Sequence, residues 1–143
     1  ANVRQSAASA LGELGQAEPR VLEALLGLLG DEEANVRQSA ASALRRLGQA
    51  EPRVLEALLG LLGDEEANVR GSAADVLVPA LGEPVRITSQ QLPAVIRLLD
   101  DDSEIGSRFG TSRQVKDVGW RLLQRHSEEM GERIYRSRGE VLQ

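Results

Sequence analysis

ANVRQSAASALRRLGQAEPRVLEALLGLLGDEE, residues 34–66, repeats residues 1–33 with changes at two positions only: Arg45-Arg46 stands where the first copy has Gly12-Glu13. A third copy begins in register at Ala67 as ANVRGSAADVL and then drifts. Self-similarity at a fixed period of this length marks a tandem array built from one supersecondary unit. Within the unit, Val36, Ala40, Ala43, Leu44 and Leu47 recur at three- and four-residue steps, which predicts a helix A over 34–47 with one apolar stripe. Its alanines let a neighbouring helix approach closely. Gly48 stands where a helix end turns left-handed, and Pro52 where a first helical turn tolerates a missing N–H. Helix B is therefore expected over 52–62. Its Val54, Leu55, Leu58, Leu59, Leu61 and Leu62 cover more than one stripe, as suits a helix touching its own A helix and both neighbouring repeats. It is expected to end at Gly63, with Asp64, Glu65 and Glu66 placing acceptors and negative charge at the next helix start.

Beyond residue 66 the unit is predicted to persist with two insertions. The third helix A is expected over 67–81, followed by an irregular joint within 78–88 that holds Pro79 and Pro84. The third helix B is expected over 89–99, with Ser89 as its N-cap. Residues 102–113 read as an inserted loop, followed by a fourth helix A at 113–126 and a sparse capping helix at 128–138. Trp120, aligned with Ala41, is expected to fill space created by the joint or the insertion. The whole reads as one all-α domain, a right-handed solenoid of antiparallel helix pairs with units at about 1–33, 34–66, 67–101 and 102–143. Because Asn2-Val3-Arg4 opens without the Asp-Glu-Glu turn of the later copies, the sequence is expected to be the C-terminal part of a longer array.

Composition narrows the function classes. Of 143 residues 41% are apolar but only 2% aromatic, so Leu, Ala and Val must form the core of closely packed helices. With no cysteine there is no disulfide framework, thiolate metal site or cysteine nucleophile. No apolar run reaches membrane-spanning length and no leader opens the chain, so a soluble, cytoplasmic protein without a membrane partner is expected. The net charge is −5, and residues 1–101 carry nine Arg against fifteen acids. That balance lacks the basic stripe nucleic-acid binding needs.

Chemistry is sparse in the sequence. His126 is the only histidine, expected near a helix end where a cation suits the dipole, and with no second ligand it makes neither a metal site nor a triad. The run Asp100-Asp101-Asp102-Ser103-Glu104 lacks the alternating ligands and central glycine of a calcium loop and reads as capping. Gly106–Arg113 is glycine-rich but lacks the Gly-Lys-Ser/Thr ending of a phosphate loop. No catalytic residue, metal or cofactor is expected.

The acidic turn followed by Val-Arg and a small-residue helix, Asp31…Asn35-Val36-Arg37…Ala40-Ala41…Leu47-Gly48 and again Asp64…Asn68-Val69-Arg70…Ala73-Ala74, resembles the HEAT-like repeats first described in phycobilin lyases and widespread in bacterial proteins. The resemblance covers about residues 1–101. It implies a ladder between repeats in which Asp31 and Asp64 pair with Arg37, Arg70 and Arg4. By the same resemblance, near-identical bacterial arrays stand C-terminal to nucleotide-binding signalling ATPases, so a nucleotide-binding domain in the same full-length chain is a candidate companion.

The function expected from these readings is a non-catalytic interaction scaffold or sensor for a protein partner. Two surfaces are candidates. One is the helix-B row, expected on the concave side: Arg20, Glu23, Arg53, Glu56, Gln90 and Arg97 with Gly27, Gly60 and Pro93. The Arg-Glu pairs also have the spacing that stabilises a helix locally. The other is the inserted loop with Arg108, Phe109 and Arg113, since aromatic and Arg anchors typify interface hot spots. A phycobilin-lyase-like enzyme subunit or chaperone, and a designed consensus scaffold, are the alternatives.

Overall fold

The computed structural model describes residues 2–16, 18–47, 51–78, 84–105 and 113–142, and from residue 132 onward the backbone alone. Seven α-helices run in chain order among the described residues: α1 (Asn2–Glu13), α2 (Pro19–Leu28), α3 (Ala34–Leu47), α4 (Pro52–Leu61), α5 (Ala67–Leu77), α6 (Leu92–Leu98) and α7 (Val115–Leu142). A 3-10 turn (Ser89–Gln91) leads into α6, and a two-stranded antiparallel ladder, β1 (Glu104–Ile105) with β2 (Arg113–Gln114), precedes α7. This is an all-α solenoid: α1, α3 and α5 are the A helices and lie side by side, and the B helices α2, α4 and α6 pack chiefly against the A helix that follows each of them, α3, α5 and α7.

The regular unit forms as its sequence dictates. Pro19 and Pro52 occupy the first turns of α2 and α4, where no N–H partner is needed. Gly15 adopts φ 65° and reverses the chain between α1 and α2, a conformation a Cβ disfavours. Its counterpart Gly48 lies outside the described residues. Asp31 and Asp64 each accept the amide two residues on, from Glu33 and Glu66 at 2.9 Å, and so build the turn that feeds the next A helix.

Two stripes on each A helix hold the array together. The stripe Val36-Ala40-Ala43 is fully buried and faces the preceding repeat, where Ala43 lies against Gly12 of α1. On the opposite flank Ala8, Ala41 and Ala74, all 0% exposed, face the repeat that follows. Trp120 occupies this second stripe on α7 and is 55% exposed rather than filling an internal gap; its neighbour Gly119 is buried instead. At Gly119 a Cβ would be 3.2 Å from Leu98, the last residue of α6, and from Leu99 just after it, so the α6–α7 contact is made across a glycine.

The irregular part differs from expectation in three further ways. The third helix A ends at Leu77, and residues 79–83, with Pro79, lie outside the described residues. The chain then returns along α5 with Val85 N–H donating to Leu77 O at 2.8 Å. The cap of the next helix is Thr88, not Ser89: Thr88 and Gln91 form a reciprocal capping box, and the amide of Thr88 donates to Gln91 Oε1 at 2.9 Å. Finally, the expected helices at 113–126 and 128–138 are one continuous helix, α7. No proline interrupts 115–142, and the side-chain pairs Gln124–Glu128 and Arg125–Glu129 at i,i+4 carry it across the expected break. His126 thus sits mid-helix, away from a dipole end, and its Nδ1 contacts Ile87 O at 3.2 Å, tying α7 to the 84–88 segment.

Candidate functional site: the helix-B row and its supports

Arg20, Glu23 and Gly27 of α2, Arg53, Glu56 and Gly60 of α4, and Gln90, Pro93 and Arg97 beside or within α6 are all exposed. Among the described residues none of Arg20, Glu23, Arg53, Glu56 and Arg97 takes part in an ion pair; the Arg-Glu spacing is not used to brace the helix. Ile96, 54% exposed, adds an apolar group next to Arg97. Behind the row, Leu22 and Leu25 of α2, and Val54, Leu55 and Leu58 of α4, anchor these helices in the core.

The glycines of the row have no structural duty. Gly27 and Gly60 lie in the last turn of their helices without positive φ, and a Cβ built on either would meet nothing within 4 Å. Alanine would fit and would favour the helix by up to about 1 kcal/mol, less near a helix end. Glycine there leaves the backbone open to close approach from outside.

Two rungs of the Asp-Arg ladder implied by the resemblance are formed. Arg4 donates to Asp31 through Nε at 2.7 Å and Nη2 at 3.1 Å, and Arg37 donates to Asp64 at 2.8 and 3.0 Å in the same bidentate form. Arg37 Nη1 also donates to the carbonyls of Asp31 and Glu32, at 2.9 and 3.1 Å, so one guanidinium bridges two successive turns. A rigid fork satisfied at both turns fits one inter-repeat spacing, which holds the B helices at fixed intervals. The hydrogen bonds from Arg4 and from the Glu33 amide hold the Asp31 carboxyl below its ordinary value. At Asp64 burial pushes the carboxyl up, but hydrogen bonds from Arg37 and the Glu66 amide outweigh it and the net shift is downward.

At the third rung the pattern changes partner. Asp101 keeps the turn, accepting the Ser103 amide at 2.9 Å, and Asp102 pairs with Lys116 Nζ at 2.6 Å. The acidic run therefore shapes a turn. Arg70 reaches the Glu104 carbonyl of β1 instead, through Nη2 at 2.8 Å and Nε at 3.2 Å, while its Nη1 donates to Asp64 O.

Of the inserted-loop residues, Arg108 and Phe109 lie outside the described residues. Arg113 is engaged within the fold, donating to Asp75 Oδ1 at 2.7 Å and to Val78 O at 3.3 Å, so a partner would have to displace those bonds. The sequence reading missed Asp75 and Gln91. Asp75 stands where the first copies have Ser9 and Ser42, and such a departure from the repeat was the available signal. Gln91, only 2% exposed, donates to Pro52 O at 3.3 Å and fixes the start of the third B helix against the start of α4.

Two surface clefts are polar: about 200 Å³ between Pro84, Arg121, Gln124, Arg125 and Glu128, and about 410 Å³ along Asn2, Gln5, Ser6, Ser9 and Glu13 of α1. Among the described residues no group of three or more His, Cys, Asp or Glu is placed to hold a metal ion, and no helix is long and apolar enough to cross a membrane.

Stacked helix pairs, an Asp-Arg ladder and an evenly spaced exposed row define an α-solenoid repeat protein. The family model for HEAT repeats matches residues 1–78, more than half of the chain, and the chain belongs to the HEAT-repeat family. Comparison with curated proteins gave no match.

Proposed function

We propose that the chain is a non-catalytic scaffold or sensor that binds a protein partner along the helix-B row, with Arg20, Glu23, Arg53 and Glu56 as its regular contacts and Gln90 and Arg97 extending them. In this reading the row forms the concave side of the array. Extended rows of this kind are the usual binding surfaces of solenoids. The observation that carries the reading is the pair Gly27 and Gly60: neither packing nor backbone geometry requires glycine, yet both copies hold it beside unpaired Arg and Glu side chains. A partner backbone or flat side chain can seat against the bare helix while the flanking charges set its register. The inserted loop, with Arg108 and Phe109, is a second contact in the same reading.

The test is affinity capture from the source cell with the intact chain and with a Gly27→Gln, Gly60→Gln double variant. Both substitutions favour the helix, so melting is unchanged or raised, and capture of the same protein falls at least about tenfold. Undiminished capture by the variant would refute a binding role for the row. A Phe109→Ala, Arg108→Ala variant reports separately on the loop.

A further inference from the structure

Arg20, Glu23 and Gly27 stand at i, i+3 and i+7 of α2 and form one outward stripe; Arg53, Glu56 and Gly60 form the same stripe on α4. All six are exposed, and among the described residues none of the four charged side chains has an ion-pair partner. The array holds such stripes in register. Arg37 ties two successive turns together through Asp64 and the carbonyls of Asp31 and Glu32. Gln91 Nε2 donates to Pro52 O at 3.3 Å, which sets the start of the third B helix against the start of α4. Across α2 and α4 the surface is thus a cation row of Arg20 and Arg53, an anion row of Glu23 and Glu56, and a bare row of Gly27 and Gly60.

We propose that the partner element held by this surface is an α-helix lying across α2 and α4. Its acidic residues, seven apart, meet Arg20 and Arg53; basic residues on the neighbouring stripe meet Glu23 and Glu56; small side chains seat on Gly27 and Gly60. The proposal rests on the row being the binding surface and names what binds there. Packed helices lie about 8–10 Å apart, so each kind of charge recurs across the row at about that interval. An extended peptide presents same-side residues about 6.8 Å apart, and then about 13.6 Å, and matches neither row. A helix presents residues i and i+7 on one side about 10.5 Å apart, a difference that long Arg and Glu side chains absorb. At the third unit Gln90, Pro93 and Arg97 replace Arg, Glu and Gly at the aligned positions, so the anion row stops and a cation enters the glycine row. The bound helix accordingly has a polarity: its stretch over α6 carries acids and no base.

Two labelled peptides of equal length, repeats of EAAAKAA and repeats of EAAAK, test this by fluorescence anisotropy with the full chain at low salt. Both contain Glu and Lys at i,i+4 and are helical, as circular dichroism of the peptides checks. Seven residues return a charge to within about 20° of the same side, whereas five carry it about 140° round the helix. With four exposed charge pairs aligned at once, the seven-residue peptide is expected to bind at least about tenfold tighter. Arg20→Ala, Arg53→Ala in one chain is expected to abolish that preference and to melt as the wild type does, because both side chains are exposed. Equal binding of the two peptides, binding of neither, or a preference that survives in the double variant would each overturn the proposal. Where any of these occurs while Gly27→Gln, Gly60→Gln still abolishes capture of the cellular protein, the row remains a binding surface and the helical partner is wrong.

Discussion

Replacing Gly12 by alanine adds one methyl group at the tightest point between the first two repeats. A Cβ there would lie 2.8 Å from both Cα and Cβ of Ala43, against 3.4 Å for the near edge of ordinary contact, so α1 must withdraw from α3 by about 0.6 Å. The obstacle is backbone, which cannot rotate away as a long side chain can. Overpacking of this kind costs about 1–3 kcal/mol. The helix preference of alanine over glycine returns about 0.5–1 kcal/mol, toward the low end so close to the end of α1. The net expectation is a loss of about 1–2 kcal/mol, or roughly 3–8 °C in melting temperature for a chain of this size. Arg45, the equivalent residue of the second copy, is exposed, and Arg45→Ala is expected to change stability by less than about 0.5 kcal/mol. Thermal melts and urea titrations of the two variants decide the matter. If Gly12→Ala raises the melting temperature, Gly12 is an ordinary exposed helix glycine and the close approach of α1 to α3 is wrong.

Trp120 is the only tryptophan, so its fluorescence reports one site; the native protein is expected to emit at the long wavelength of a hydrated indole and to be quenched readily by acrylamide, and a blue-shifted, protected band would contradict its exposure. Leu58 is 0% exposed, so Leu58→Asp is expected to unfold the array, whereas exposed Glu56→Lys leaves helicity and melting nearly unchanged; equal melting would show that the faces of α4 are misassigned. Asp31, Asp64 and Asp101 have carboxyls held below the ordinary value of 3.8, so the stability they contribute is complete above that pH and is lost as pH falls through it toward their folded-state values. Melting temperature should accordingly fall on acidification below 3.8, and Asp64→Asn should be less stable at neutral pH but show a shallower acid loss; an Asp64→Asn profile parallel to wild type would refute the ladder's part in it.

The regular unit was legible because each of its signals is local. The boundaries of α3, the start of α4 at Pro52 and the turns at Asp31 and Asp64 follow from periodicity, proline and side-chain capping within a few residues of sequence. The participants of the Asp-Arg ladder came from the family resemblance, whereas the structure decided which meets which: Asp31 takes Arg4, Asp64 takes Arg37, and Arg70 turns to the Glu104 carbonyl. The candidate row was legible in the same way, as the positions left over once the apolar faces of helix B were assigned.

What failed were inferences that carried the repeat beyond its range. A break near residue 127 was expected by analogy with the earlier helix pairs, but nothing in the chain from 115 to 142 interrupts a helix, and side-chain pairs span the expected joint. Trp120 was aligned correctly with Ala41, yet burial is not a property of an aligned position; it depends on whether another repeat covers it. Arg70 likewise kept its place while its acceptor became the Glu104 carbonyl, because the β1 strand that follows the Asp101 turn brings residues 34 apart together. The sequence by itself determined the helices of the regular units and the spacing of the exposed row, since these follow from periodicity and short-range capping. Only the tertiary structure decided which of two identical faces is covered and which is open, as with Val3 and Val36, because exposure is set by neighbours that identical residues do not share.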